Sequence, residues 1–527
     1  MQVLDFKENN AYNLLCYQAR LEDMRERRNK RNTKRHIKKK EIFGRVLIYI
    51  LMTTAVIGGV IFSLFWAMGY RFDFGSGAIK QVAKLQLGSF PSGADVDING
   101  ARLPAATPTA PHVEAGKNTI KFSRKDYRPW QKTVNVVSGE VVWLNYARLI
   151  PNNITTETVR NFSDVKQMLL SPNKRWLLIR NSDNSRLRDG LVYVTDHTPT
   201  QHQDMSFPLI LADISDPLNV RFVDIGIPSD KITAPTTRNV ANEKFNIIEW
   251  SADSRYILIE HFVNDKVEFL RVDRENPDNT INLSQDFKIS PTEMYFSDKS
   301  NLLLALIDNS LRLIDLNNTS QKVISDYVQN FTVANDGRLA LATLESENDK
   351  LVQNVGIYDG ATVRNIRSFD TDITNPIAVN LIRFDNNDYL VIGSGELVTI
   401  YRDPLGEKMT EPIYLSSPGG IDWISVSPSQ RFIMAGRSGK IVGYDLDSKK
   451  NYSFEISDTT KPEWVDDHHL IINNNNQIQM IEFDGENREN IVGGFGHAIL
   501  SSNEKFLFSL SNFNDSVILQ KSRLILD

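Results

Sequence analysis

A short unit recurs eight times in the C-terminal three quarters of the chain. A polar turn runs into an apolar strand in SPNKRWLLIR from Ser171, SADSRYILIE from Ser251, SDKSNLLLAL from Ser297 and ANDGRLALAT from Ala334. The unit continues in DNNDYLVIGS from Asp385, SPSQRFIMAG from Ser427, DDHHLIINN from Asp466 and SSNEKFLFSL from Ser501. A third strand follows each and ends near an Asp: LVYVTD to Asp196, VEFLRVD to Asp273, LRLID to Asp315, VGIYD to Asp359, LVTIYRD to Asp403, IVGYDLD to Asp447 and IQMIEFD to Asp484, with a final SVILQ. Unit starts lie 80, 46, 37, 51, 42, 39 and 35 residues apart, close to the roughly 40 to 45 residues of a four-stranded blade. Short strands at this period, punctuated by turns, predict a β-propeller of seven or eight blades over 151–527. The spacing of 80 is one blade with an insertion at about 181–246.

The turn-plus-strand pieces resemble WD40-like propellers of the S-P-D-G-R-x-hydrophobic kind, without the Gly-His and Trp-Asp pairs of the strict family. What precedes them has a different character. Val46–Tyr70 is 25 residues with no Asp, Glu, Lys, Arg or His, and at about 1.5 Å per residue it is long enough to cross a hydrocarbon core of about 30 Å. The run is longer than the apolar region of a cleaved signal peptide and is read as a retained transmembrane helix. Residues 20–45 hold twelve Lys and Arg, whereas residues 71–90 hold three. This bias predicts a cytoplasmic N-terminus, an extracytoplasmic body and a cell-membrane location.

Net charge is −5 overall, but residues 1–45 carry 13 basic against 6 acidic side chains, so the remainder is at −12. An acidic body has no general attraction for nucleic acid, and no nucleic-acid partner is expected. Within the arm, Leu14, Tyr17, Leu21 and Met24 recur at helical spacing. Lys38, Lys39, Lys40 and Arg45, just before the apolar run, are the expected contacts to anionic lipid; a stop-transfer flank that only fixes topology is the plainer reading.

Residues 71–83 read as a linker, and 84–150 as short alternating strands. Pro91-Ser92-Gly93-Ala94 makes a turn, Val96 and Ile98 alternate with polar residues, and Asn99-Gly100 marks a hairpin. These residues, with Thr107-Pro108, Gly116 and the pair Tyr127 and Trp130, resemble the PEGA domain family of small β-sandwiches. Ser92 stands where that family has Glu, and Asp126 where it has Gly. The resemblance implies an extracytoplasmic, non-catalytic module beside an envelope anchor. The expected fold is thus an all-β extracytoplasmic body, a PEGA-like sandwich plus a propeller, behind one N-terminal transmembrane helix at 46–70 and a basic arm at 1–45.

Candidate chemistry is sparse. Asp95, Asp97, Asn99 and Gly100 match half of a calcium loop, but Ala106 stands where a bidentate Glu is required. In the insertion, Asp196, His197, His202 and Asp204 are read as a surface loop open to a partner rather than a metal site. His468 and His469 are read as a solvated turn. No nucleophile elbow, phosphate loop or zinc motif occurs, and no catalytic, metal or cofactor site is expected. Two functions follow: a non-catalytic envelope module that binds or scaffolds a protein or cell-wall polysaccharide, or a propeller hydrolase or lyase on an envelope sugar or peptide. Because Cys16, in the arm, is the sole cysteine, no disulfide can stabilise the body. Its melting temperature should therefore be the same with and without reductant, and a drop in reductant would contradict the reading.

Overall fold

The computed structural model describes residues 5–68, 70–73, 77–181, 205–233, 244–347, 350–370, 377–407, 411–457, 461–514 and 516–526. They form two compact units, Met1–Phe122 with Lys132–Ala147, and Ser123–Gln131 with Arg148–Asp527.

The first unit opens with one helix, α1 (Asp5–Ala67). No proline occurs before Pro91, and the arm is rich in Arg, Lys, Glu and Leu, which all favour helix. The arm and the apolar run are therefore continuous. Arg45–Ala67 is the stretch apolar enough to span a membrane, and none of it is buried within the protein. The hydroxyls of Thr53 and Thr54 donate to the carbonyls of Tyr49 and Ile50 four residues back, which leaves neither group unsatisfied in an apolar surround. Leu21 and Met24 are exposed.

Two expectations change at the end of α1. The span was read to Tyr70, but the helix ends at Ala67 and Tyr70 begins a strand. The stretch read as a linker is a hairpin, Tyr70–Asp73 paired with Ala78–Gln81 of the long strand Ala78–Phe90. Alternation in Tyr70-Arg71-Phe72-Asp73, with Gly77 at positive φ closing the turn, suits pairing better than helix. The hairpin is part of one of two four-stranded sheets, which bury Leu85, Leu87, Val96, Ile120 and Phe122. Asn99 and Gly100 both have positive φ, as a two-residue hairpin requires, and Asp95–Ile98 is a strand, so the half calcium loop is a hairpin arm. Thr107 Oγ1 accepts from Ala94 N and lies 2.6 Å from Ser89 Oγ, fixing the Pro91–Ala94 turn.

Among the described residues the second unit contains eight four-stranded antiparallel sheets, seven of them formed from consecutive strands. The first is Val165–Leu170, Trp176–Asn181, Met205–Asp213 and Arg221–Pro228. Its third strand is thus Met205–Asp213, paired with the second from Trp176 to Arg180; the expected LVYVTD strand lies outside the described residues. This third strand and the fourth, Arg221–Pro228, both fall inside the stretch read as an insertion. The eighth sheet is Phe495–Leu500, Phe506–Phe513 and Ser516–Arg523, completed by Thr156–Phe162 from the start of the unit.

Neighbouring sheets share apolar seams. Leu178 packs in one cluster with Ile259, Leu258 with Leu303, Leu304 with Leu341, Val355 with Leu390, and Val391 with Ile433. Between the sixth and seventh sheets Phe432 stacks on Phe483 at 4.2 Å. Met480 meets Leu507 across the next seam, and Ile179 meets Phe508 across the last. The sheets therefore close into a ring, a propeller arrangement.

The repeated turn explains itself. Ser171, Ser251, Ser427 and Ser501 each accept from the backbone N–H five residues on. In three of these turns the serine donates to an Asx side chain two residues on. The fourth turn position has positive φ at Lys174, Ser254, Gln430 and Glu504. The arginine that follows reaches the Asp ending the third strand, as in Arg175–Asp213, Arg255–Asp273 and Arg431–Asp445, each 2.7 Å. Asp445 is 1% exposed and also accepts from Asp447 N and Ser448 Oγ. Removing one partner of a buried pair strands the rest, so Asp445→Ala should cost about 3 kcal/mol in chemical denaturation. Arg175 is half exposed, and Arg175→Ala should cost no more than about 1 kcal/mol. Equal losses would refute this account of the turn.

Candidate functional site

Several neighbouring sheets are bonded to one another by polar side chains. Gln167 accepts from Ile247 N at 2.8 Å and donates to Ile247 O, and Asn330 donates to Ile377 O at 3.1 Å. Trp464 Nε1 donates to Ser425 Oγ, and Asn473 Nδ2 to Gly496 O. Between the second and third sheets the bridge is a carboxylate, Glu249, whose Oε1 accepts from Phe296 N.

Around this bridge lies a cluster of titratable side chains. Glu249 is in Lys244–Trp250, Glu260 in Tyr256–Val263, and Glu293 and Tyr295 in Glu293–Phe296. Burial drives the Glu249 carboxyl up to about 7, against the opposing hydrogen bond from Phe296. Tyr295 is pushed up to about 12, first by burial and then by the negative charges of Glu293, Glu249 and Glu260. Glu260 accepts from Asn246 Nδ2 at 2.7 Å, and the Tyr295 ring meets Phe331 edge-on at 5.6 Å. A carboxyl half protonated near neutrality beside a tyrosine that stays protonated can donate protons. No group of three or more His, Cys, Asp or Glu among the described residues is placed to hold a metal.

A second cluster is built for rigidity. Glu268, 6% exposed, accepts from Thr233 N, Thr233 Oγ1, Asn282 Nδ2 and Gln285 Nε2, and lies 2.7 Å from His261 Nδ1. These bonds hold its carboxyl down at about 2 despite burial. His261 is fully buried and stacked on Phe245 at 4.2 Å. Every oxygen of this carboxylate is occupied from within, so it anchors the segment at Thr233 to the second sheet.

The histidine pair departs from expectation. His469 is 4% exposed, with Nδ1 2.8 Å from Asp466 Oδ1, and Asp466 also accepts from Arg148 at 2.9 Å. His468 lies edge-on to Phe432 and Phe483, and burial lowers it to about 4. The solvated-turn reading is overturned because Arg148 and the aromatic seam between two sheets both converge on this turn. The cavity beside it, lined by Arg128, Trp130, Arg148, His469 and Glu482, is about 20 Å³, the size of one water.

Of the residues singled out in the sequence, Lys38, Lys39 and Lys40 fall within α1, with side chains outside the described residues, and Arg45 is exposed at the start of the apolar stretch. Asp196, His197, His202 and Asp204 lie outside the described residues. The sequence reading missed Glu249. Its signal was a lone acid inside the apolar run Ile247-Ile248-Glu249-Trp250.

Residues 82–149 match the PEGA domain family. No curated protein matches the chain. Solved structures similar to it include an oligogalacturonate lyase in complex with manganese, 11% identical with a TM-score of 0.35, covering 52% of this chain and 88% of its own. A structure of the Dos1 propeller is also 11% identical, with a TM-score of 0.41, covering 70% and 95%. A mitotic checkpoint complex chain, again 11% identical, has a TM-score of 0.36 and covers 56% and 96%.

The raised Glu249 carboxyl has a definite sign. Its folded pKa lies above its unfolded value of 4.5, so the folded chain binds more protons and loses stability as pH rises from about 4.5 through about 7. Glu249→Gln keeps the acceptor for Phe296 N and removes the titration. Its melting temperature should fall less than that of the wild type between pH 5 and 8, and parallel profiles would refute the shift.

Proposed function

We propose that this chain is a single-pass, membrane-anchored module of the cell envelope, with a cytoplasmic basic arm and an extracytoplasmic body. The body binds or scaffolds a protein or cell-wall polysaccharide through its PEGA domain and a propeller of eight blades. The reading rests on one observation: an unburied apolar helix, Arg45–Ala67, leads within three residues into the hairpin of the PEGA-containing unit. At about 1.5 Å per residue those 23 residues give a span of about 34 Å. Twelve basic residues lie within positions 20–45, up to and including its first residue, which supports the stated orientation, and Lys38, Lys39, Lys40 and Arg45 meet anionic headgroups on the cytoplasmic side.

Gln167, Glu249, Asn330 and Asn473 join one sheet to the next, which supports a scaffolding role for the propeller. The second reading, a hydrolase or lyase on an envelope sugar or peptide, draws on the Glu249 carboxyl near neutrality beside Tyr295. Release of fragments from cell-wall polysaccharide by the wild type, lost in Glu249→Gln, would establish that reading in place of the first.

The orientation has a direct test. Protease added to spheroplasts should degrade the body and spare a fragment containing residues 1–45. Replacing Lys38, Lys39, Lys40 and Arg45 together with Gln should raise the fraction of inverted chains. Loss of the arm with survival of the body would invert the topology and remove the envelope-facing function.

A further inference from the structure

We infer that the PEGA-containing unit makes a second, shallow contact with the membrane, through Val137, Val141 and Trp143, at the face from which the helix emerges. The inference rests on the anchored reading above. These three side chains are 64%, 44% and 53% exposed, although each carries a large apolar surface. They surround a turn that abuts the end of α1: Ser138 Oγ donates to the Met68 carbonyl at 3.0 Å, and a Cβ on Gly139 would lie 3.1 Å from the Met68 carbonyl carbon. The turn is rigid. Gly139 N donates to Val82 O, Lys84 N to Glu140 O, and Val137 N to Glu140 Oε2.

The occupant follows from continuity with the helix. Met68 is the residue after the apolar span ends at Ala67, so a turn touching its carbonyl sits where hydrocarbon gives way to headgroups. Val141 is two residues beyond Gly139, about 7 Å of strand. Trp143 projects from the same side of its strand as Val141, opposite buried Leu144. Trp and Tyr rings are favoured at that depth, and the helix end supplies Trp66 and Tyr70, which meet Phe62 at 5.8 Å and Phe65 at 5.3 Å. A lipid surface is thus the partner whose chemistry and position both fit.

The test uses the full chain in lipid vesicles with Cys16→Ser and one new cysteine at a time, Val137→Cys, Val141→Cys or Trp143→Cys, each carrying an environment-sensitive fluorophore. Ser92→Cys is the reference, beyond the far end of the strand Ala78–Phe90, about 40 Å long. Lipids spin-labelled at the headgroup should quench the three labels about twofold or more and leave Ser92→Cys unchanged, as expected for residues at interfacial depth. Alkaline carbonate extraction separates the two readings. A chain that stays in the membrane with unquenched labels keeps its anchor and overturns the shallow contact. Labels that are blue-shifted yet unquenched mean that protein covers the patch, which also overturns it. A chain released by carbonate removes the anchor and this inference together.

Discussion

The antiparallel pairing of Thr156–Phe162 with Ser516–Arg523 joins the two ends of the run of sheets between residues 156 and 523. Each four-stranded sheet buries apolar side chains on both faces, as Leu178 and Ile179 do by facing the second and eighth sheets respectively. An open row would leave one apolar face exposed to water at each end, at a cost in stability. Drawing the eighth sheet's fourth strand from the beginning of the unit ties the ends by main-chain bonds. The cluster of Phe162, Ile179, Phe508 and Leu519 then fills the final seam. With no thiol in the body, this pairing does the work that a disulfide does in many exported proteins.

Within that ring the local rule is the Ser-Asx-Arg turn. Its serine hydroxyl replaces a missing main-chain partner, and its arginine covers the carboxylate at the end of the third strand, so the strands are registered by side chains as well as by the ladder. The arginines also lie over aromatic rings, Arg175 on Trp176 and Arg431 on Phe432 at 4.6 and 4.9 Å. Glycine is absent from the left-handed position in four of these turns, yet Lys174, Ser254, Gln430 and Glu504 adopt it. The bonds around each serine outweigh the roughly 1 kcal/mol that such a conformation costs a residue with a side chain.

Much of this was legible because it is periodic. All eight second strands were visible as an apolar run behind a polar turn, and the Asn99-Gly100 hairpin was visible because two adjacent residues tolerate positive φ. What escaped depends on partners distant in the chain. The strand Thr156–Phe162 reads as polar, TETVRNF, and finds its place only against a strand some 360 residues later. His469 looks like a turn residue until Arg148 and Asp466 close over it. Asp213 answers Arg175, because the first sheet takes its third strand from inside the stretch read as an insertion. The hairpin after α1 was passed over as a linker since four residues are too few for alternation to register.

Glu249 shows how the same group can be read as chemistry or as structure. Its carboxyl is costly to ionise where it sits, and the protein meets that cost with one main-chain donor rather than with a cation. Glu268, more deeply buried, is given five hydrogen-bonding groups from four residues and stays ionised. The contrast separates a carboxylate held as a fixed anchor from one whose charge is free to change at neutral pH. On the proposed reading, confinement to a membrane plane alters what such a surface must achieve. A tether raises the effective concentration of an envelope partner to the millimolar range for short linkers. The helix passes within three residues into a strand of the PEGA-containing unit, so the body can hold a partner with weak individual contacts.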